Sequence, residues 1–245
     1  DTVVALWGDS FADAFSMSLY AQGRSESVTV YPFIFHSCPS LIGTVRNEDY
    51  RLGLSFSESC AKYTDRISRH IAELRPDVVV LTSAYEFYSS EINPHNGKPI
   101  LISQDSKDRS GLDVVLDSLH DTIEFLNNMD VTVVLVTPHP RLKDFNMRRR
   151  MAKLFGHATG SLDLDPDTSQ ELTARILSRL NESDLRFHVV SPTRHICARR
   201  QTNAKECSAI DQDGSYLLYD GSHVTRYLAR KISEDIFAAI DSASD

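Results

Sequence analysis

The sequence predicts an α/β fold, a parallel sheet of about five strands with helices on both faces. Three observations carry that prediction. Short β-branched apolar runs recur along the chain, amphipathic stretches at helical spacing separate them, and the two kinds alternate from one end to the other, which is the pattern of βαβ crossovers. A chain of 245 residues, 41% of them hydrophobic, can bury such a core and is read as one domain spanning residues 1–245.

The expected strands are Val3 to Trp7, Val28 to Phe35, Val78 to Thr82, Val131 to Val136 and Phe187 to Val190, each a nearly continuous apolar run of the kind buried on both faces of a sheet. Between and after them lie the expected helices: Ser10 to Gln22, Ser57 to Leu74, Gly111 to Asn128, Thr168 to Leu180 and Val224 to Ile240. In the second, Ile67, Ile71 and Leu74 share a face and Pro76 stops the helix. Val115, Leu119, Ile123 and Leu126 form the stripe of the third, and Leu228, Ile232, Ile236 and Ile240 that of the last. Two stretches, Ser89 to Ser110 with its Pro and Gly residues and Pro192 to Ser215 with two cysteines and several charges, read as long surface excursions.

Composition narrows the function classes. Acidic and basic residues are interspersed and the formal net charge is −8, whereas a general nucleic-acid binder needs an excess of Lys and Arg, so no nucleic-acid partner is expected. The triplet Arg148-Arg149-Arg150 reads as the solvated face of a helix. No apolar run approaches the roughly 18 to 20 residues that span a bilayer. The chain starts at Asp1, without Met or a signal-like region, and reads as a piece of a longer protein.

Four cysteines, Cys38, Cys60, Cys197 and Cys207, form no CxxC knuckle, so no metal site is expected. The simplest of their three pairings joins Cys38 to Cys60 and Cys197 to Cys207, each closing a local loop. Such disulfides place the domain in an oxidising compartment, periplasmic or extracellular. The alternative is four free thiols in a cytosolic protein.

The tripeptide Gly8-Asp9-Ser10 lies between the first strand and the first helix. A Ser there has its hydroxyl at the carboxyl end of the sheet and its N–H at a helix N-terminus, where an oxyanion is stabilised. An ordinary helix cap explains the same residues. What favours chemistry is Asp220-Gly221-Ser222-His223, set between the apolar run Tyr216 to Tyr219 and the last helix. An Asp three residues ahead of a His can turn back to the imidazole Nδ1 and leave Nε2 free to take a proton from a serine. Ser10, Asp220 and His223 are therefore the candidate nucleophile, orienting carboxylate and base.

Gly8-Asp9-Ser10 near the start and Asp220-x-x-His223 near the end resemble the SGNH (GDSL) hydrolase family of flavodoxin-like esterases and acyl-transferring enzymes, across the whole chain. Within it, Cys38-Pro39-Ser40 with the later Cys60, the aromatic-rich loop after the third strand (Leu81 to Tyr88) and the cysteine pair before the final Asp-x-x-His resemble the SGNH domains fused to membrane type-3 acyltransferases. The resemblance implies a periplasmic domain of an inner-membrane protein, covalently linked to a membrane acyltransferase domain. Through a Ser10 acyl-enzyme it would pass an acetyl group to a glycan acceptor, lipopolysaccharide O-antigen foremost. No cofactor is expected in the domain itself, because the acetyl group, derived from acetyl-CoA, would be delivered by the membrane domain. A carbohydrate acetyl esterase or deacetylase with the same three residues is one alternative, since water and a sugar hydroxyl attack the same acyl-enzyme. A non-catalytic glycan-binding module is the other, and has no use for that set.

One departure from the family pattern bears on catalysis. Its third block carries an oxyanion-stabilising Asn in a Gly-x-Asn-Asp sequence, whereas this strand ends Thr82-Ser83-Ala84-Tyr85-Glu86. The fused subgroup commonly lacks that Asn as well. Besides the Ser10 N–H, Gly43 is the candidate for the family's glycine donor, with Ser40 or another loop amide as alternatives, and Ser83 is a possible substitute for the Asn. Asp9 reads as an organiser of the turn. His139, between two prolines, reads as structural or substrate-contacting, and His36 likewise. His188 and Trp7 read as core. Tyr85, Phe87 and Tyr88 would either stack on a sugar or pack the loop.

Overall fold

The computed structural model describes residues 2–47, 54–92, 97–105, 109–142, 164–197 and 207–243. Five parallel strands make the main sheet: β1 (Thr2–Gly8), β2 (Val28–Ile34), β4 (Val78–Thr82), β6 (Thr132–Val136) and β9 (Phe187–Val190), in the order β2-β1-β4-β6-β9. This is the flavodoxin-like arrangement, in which the chain reverses its direction of winding between β1 and β4 and leaves a crevice at the carboxyl ends of those two strands.

Alternation along the three central strands divides the core into two layers. Val4 and Leu6 of β1, Val78 and Val80 of β4, and Val134 and Val136 of β6 point to one side. There they meet α1 (Ser10–Ser25) through Ala12, Phe15 and Leu19, and the C-terminal helix α7 (Arg226–Ala243) through Leu228, Ile232 and Ile236. Ala5, Trp7, Val79, Leu81, Val133 and Leu135 point to the other, against α2 (Leu54–Leu74), α4 (Gly111–Asn127) and α5 (Pro166–Leu180). The helices start where local chemistry directs. Asp9 caps α1 by accepting the Phe11 N–H, and Asp165 caps α5 while Pro166 takes the first turn, where no amide hydrogen is needed.

The expected main strands and helices are present, with ends shifted by up to three residues. The outer strands differ from the expectation of two-sided burial. β2 and β9 are edges, each with one neighbour, and Tyr31 and Val189 are 42% and 43% exposed. The His188 side chain is half-buried on that edge rather than in the core, with no hydrogen-bond partner among the described residues, whereas Trp7 is core as read. The stretch from Ser89 to Ser110 is not all surface. Its apolar Ile100 and Leu101 are buried, and β5 (Leu101–Ser103) pairs antiparallel with β3 (Thr44–Arg46). Short α3 (Tyr85–Tyr88) and α6 (Thr193–Ile196) follow β4 and β9, and β7 (Arg141–Leu142) pairs with β8 (Leu164–Asp165). Arg148 to Arg150 lie outside the described residues, as does 198–206 of the second excursion.

Disulfides join Cys38 to Cys60 and Cys197 to Cys207. The first ties the loop after β2 to α2, and the second ties the end of α6 to the segment leading back toward Asp220. Closing a loop of 22 residues is worth about 3 kcal/mol in denatured-state entropy. The double substitution Cys38→Ala/Cys60→Ala is accordingly expected to lower the unfolding free energy by about 3 kcal/mol. Urea titration of the two proteins checks it, and coincident midpoints with equal slopes would count against the bridge as a stabilising element.

Candidate active site

The site is built where β1 and β4 end side by side. Gly8 closes β1 because nothing larger fits, as a Cβ there would sit 1.8 Å from the Thr82 carbonyl oxygen. Asp9 is almost fully buried and its carboxylate spans the gap. Oδ1 accepts the Phe11 N–H at 2.8 Å, and Oδ2 accepts the Ala84 N–H at 3.0 Å and the Tyr88 hydroxyl at 2.8 Å. Burial raises the Asp9 pKa, and the three hydrogen bonds oppose that only in part. Asp9 thus does the capping that a Ser at this turn would otherwise do, and leaves the Ser10 hydroxyl uncommitted to the helix.

That hydroxyl lies 2.8 Å from His223 Nε2, and His223 Nδ1 lies 2.7 Å from Asp220 Oδ2. A carboxylate can only accept, so Nδ1 carries the ring proton of the neutral imidazole and Nε2 presents a lone pair to the Ser10 O–H. The other oxygen of Asp220 accepts the backbone N–H groups of Ser222 and His223, both at 2.7 Å. Burial would raise the Asp220 pKa, but those amides and the imidazole outweigh it and hold the carboxyl below its ordinary value. The loop is closed behind them by the Tyr219 N–H to the His223 carbonyl (3.0 Å) and by the Leu218–Val224 bridge. Ser10 N–H, in the first turn of α1, has no acceptor among the described residues and remains available at the positive end of the helix.

Aromatic rings pack around the imidazole. Phe11 lies 5.1 Å from His223 and 5.4 Å from His139 between ring centres, and Tyr219 stacks on His223 at 5.5 Å. His139 is buried, and its Nε2 lies 2.7 Å from the Ser222 carbonyl oxygen. A carbonyl only accepts, so Nε2 donates. Burial brings the His139 pKa down to about 4, so the ring is neutral at neutral pH. The loop is held again by the Leu142 N–H to the Gly221 carbonyl, at 2.9 Å.

The model of the SGNH domain fused to AT3 domains matches residues 1–237 of the chain. The chain belongs to that SGNH family. No curated protein sequence matches it significantly. Among solved structures, this SGNH domain is similar to the periplasmic domain of the lipopolysaccharide acetyltransferase of Salmonella ser. Paratyphi A, with a TM-score of 0.68 at 15% identity over 98% of this chain and 84% of that one. It is also similar to an acetyl xylan esterase (TM-score 0.56, 14% identity, 97% and 98% covered). A GDSL-like lipase of Bacteroides thetaiotaomicron VPI-5482 gives a TM-score of 0.54 at 14% identity, with 99% and 89% covered. These likenesses are of fold, with SGNH neighbours that include an esterase and an acetyltransferase. No helix among the described residues is long and apolar enough to cross a membrane.

In this SGNH domain the sequence-predicted residues part company. Ser10, His223 and Asp220 come together. Ser83 and Gly43 do not join them by any hydrogen bond. Ser83 is buried, and its Oγ lies 3.2 Å from both the amide nitrogen and the Oγ of Ser40. Gly43 stands in the turn into β3, at φ +72°, and its carbonyl accepts the Gln104 N–H. Tyr85 and Tyr88 are fully buried, which removes them as sugar platforms. Tyr88 serves Asp9 instead, while the Tyr85 hydroxyl lies against Ser40 and Ser83 outside hydrogen-bond geometry. Phe87 keeps partial exposure, with the Arg46 guanidinium over its ring at 5.4 Å. His36 is exposed and pairs with Asp13 on α1. Glu86 and Arg141, an ion pair at the rim of the site, carry no sequence signal, because they come from different crossovers.

Two outcomes are expected. Asp9→Ala strands two backbone N–H groups and the Tyr88 hydroxyl, and should cost about 3 kcal/mol of stability, against about 1 kcal/mol for Tyr88→Phe, in denaturant titrations. For His139 the native pKa lies below the unfolded one. The unfolded chain therefore takes up a proton as pH falls from about 6.5 to about 4 while the native chain does not, and stability is lost in that window. The His139→Phe protein should lack this part of the slope, so the stability difference between wild type and variant shrinks as pH falls through the window. A constant difference would show that His139 titrates normally.

Proposed function

We propose that this domain is an O-acetyltransferase that moves an acetyl group onto a sugar hydroxyl of a bacterial surface glycan through an acyl-enzyme on Ser10. The observation that carries the reading is the unbroken chain from Asp220 through His223 to the Ser10 hydroxyl, at 2.7 and 2.8 Å, beside a free N–H at a helix start. His223 Nε2 takes the proton as Ser10 Oγ bonds to the acyl carbon, and the carbonyl oxygen gains negative charge next to the Ser10 N–H. Collapse expels the donor's leaving group, which recovers the proton from His223. The acceptor hydroxyl then gives its proton to His223, attacks the same carbon and leaves as the acetyl ester, returning Ser10 to its starting state. Asp220 holds the tautomer and stabilises the imidazolium that forms at each transfer.

Transfer is favoured over plain hydrolysis by the family to which the chain belongs, whose SGNH domains are fused to AT3 domains. Such a membrane-linked partner would deliver the acetyl group, derived from acetyl-CoA, so the domain itself needs no cofactor. The Salmonella neighbour acts on lipopolysaccharide, which makes O-antigen the first glycan to examine. Two disulfides fit a periplasmic setting at the face of the inner membrane. Ser10→Ala in the full protein is expected to abolish acetylation of the surface glycan in cells while the domain keeps its thermal transition. Normal acetylation in that strain would refute the proposal.

A further inference from the structure

The turn that carries the general base satisfies its amides from within and its carbonyls from outside. Asp220 Oδ1 accepts the Ser222 and His223 N–H groups. The carbonyls of Gly221 and Ser222 are both met by one segment, the strap that leaves β6 and runs from Thr137 to Leu142. The Leu142 N–H donates to the Gly221 carbonyl at 2.9 Å, and His139 Nε2 donates to that of Ser222 at 2.7 Å. Neither carbonyl has another donor among the described residues. A backbone carbonyl that loses its donor leaves the turn free to move until another is found.

The strap is itself anchored on its far side. The Thr137 N–H donates to the Val190 carbonyl at 3.0 Å, the Thr193 hydroxyl donates to the Pro138 carbonyl at 3.4 Å, and Arg141 and Leu142 pair with β8. Pro138 and Pro140 have fixed φ angles on either side of His139. His139 is 3% exposed, and its ring touches that of Phe11, which in turn touches His223. Phe11 follows Ser10, so one row of rings joins the nucleophile turn, the base and the strap. A buried place beside a phenylalanine ring is filled at least cost by an apolar side chain, because an imidazole gives up its hydration there. What the imidazole adds is an N–H for the Ser222 carbonyl.

We propose that His139 is the positioning residue of the general base: its hydrogen bond to the Ser222 carbonyl and its contact with Phe11 fix the Asp220–His223 turn so that His223 Nε2 stays within reach of the Ser10 hydroxyl. The proposal rests on the reading of Ser10 as a nucleophile and extends it to a residue that touches neither the substrate nor the reacting atoms. His139 takes no proton in the reaction and acts through the backbone of the turn. The effect belongs to the rate of proton transfer, where a displacement of about 1 Å costs about a hundredfold.

Two readouts test this. Diisopropyl fluorophosphate labels a serine whose proton is taken by a base: the bond from Ser10 Oγ to phosphorus forms, the phosphorus–fluorine bond breaks, fluoride leaves and His223 takes the proton. The rate of labelling, followed by mass spectrometry, is compared in the wild-type, His139→Phe and His139→Gln chains, and proton NMR reports the His223 Nδ1–H held by Asp220. His139→Phe keeps a ring against Phe11 and lacks the donor; it should label at least about tenfold more slowly and lose or broaden the Nδ1–H signal. His139→Gln, whose side-chain N–H reaches the same carbonyl, should return to within about threefold of wild type, which separates positioning from general damage. Equal rates in wild type and His139→Phe, or equal losses in the Phe and Gln variants, overturn the proposal. If wild type shows the Nδ1–H signal, His139→Phe loses it and Gln restores it, yet Ser10 takes no label in any chain, the nucleophile reading fails and the positioning of His223 stands.

Discussion

The Asp9 carboxylate is the constraint on which the site depends. The crevice of a doubly wound sheet arises because two neighbouring crossovers leave in opposite directions, so nothing in the sheet itself holds their first residues together. Asp9 does, by accepting one N–H from the α1 turn, one from the β4–α3 turn, and the Tyr88 hydroxyl. The interaction is possible only because Gly8 lets β1 end against the Thr82 carbonyl. With the cap supplied by Asp9, Ser10 sits at the first helical position, its hydroxyl turned to His223 and its amide unspent.

Two carboxylates in the same site are tuned in opposite directions by their surroundings. Asp9 is deeply buried, its donors are all neutral, and desolvation wins. Asp220 is half-exposed, and two amides with a close imidazole outweigh its burial. The first acts as a structural clasp, and the second is the ionised partner that a proton-accepting imidazole requires. The protonation of His139 is settled by a third arrangement, a carbonyl at one nitrogen and burial around the ring.

Much of this was legible in the sequence, and the physical reasons for the remainder are specific. β1, β4 and β6 are legible because burial on both faces demands continuous apolar runs; the same pattern does not reveal that β2 and β9 stand at the edges, where Tyr31 and Val189 reach solvent. The strands β3 and β5 are three residues each and exist through pairing with each other, which no local pattern encodes. Ser10, Asp220 and His223 are legible because a parallel sheet brings its carboxyl-end loops together and because Asp-x-x-His is a local unit. Further candidates for an oxyanion donor are not, since a backbone amide carries no residue-type signal; Ser83, chosen by type, is occupied with Ser40. Between sugar stacking and loop packing the sequence did not choose for Tyr85 and Tyr88, as the roll of a four-residue helix decides which ring is buried.

The fold is shared by an esterase and an acetyltransferase, so under the proposed function the choice of acceptor would lie in the walls of the crevice rather than in the Ser10, His223 and Asp220 groups. What every version of the chemistry requires is a covalent acyl group on Ser10. Incubating the chain with an activated acetyl ester, quenching in acid and mapping peptides by mass spectrometry tests this most directly. A single acetyl group is expected on the peptide that begins the first helix, at Ser10, and is absent from the Ser10→Ala chain. An unmodified Ser10 peptide alongside ongoing ester turnover, or the same adduct in the Ser10→Ala chain, would contradict it.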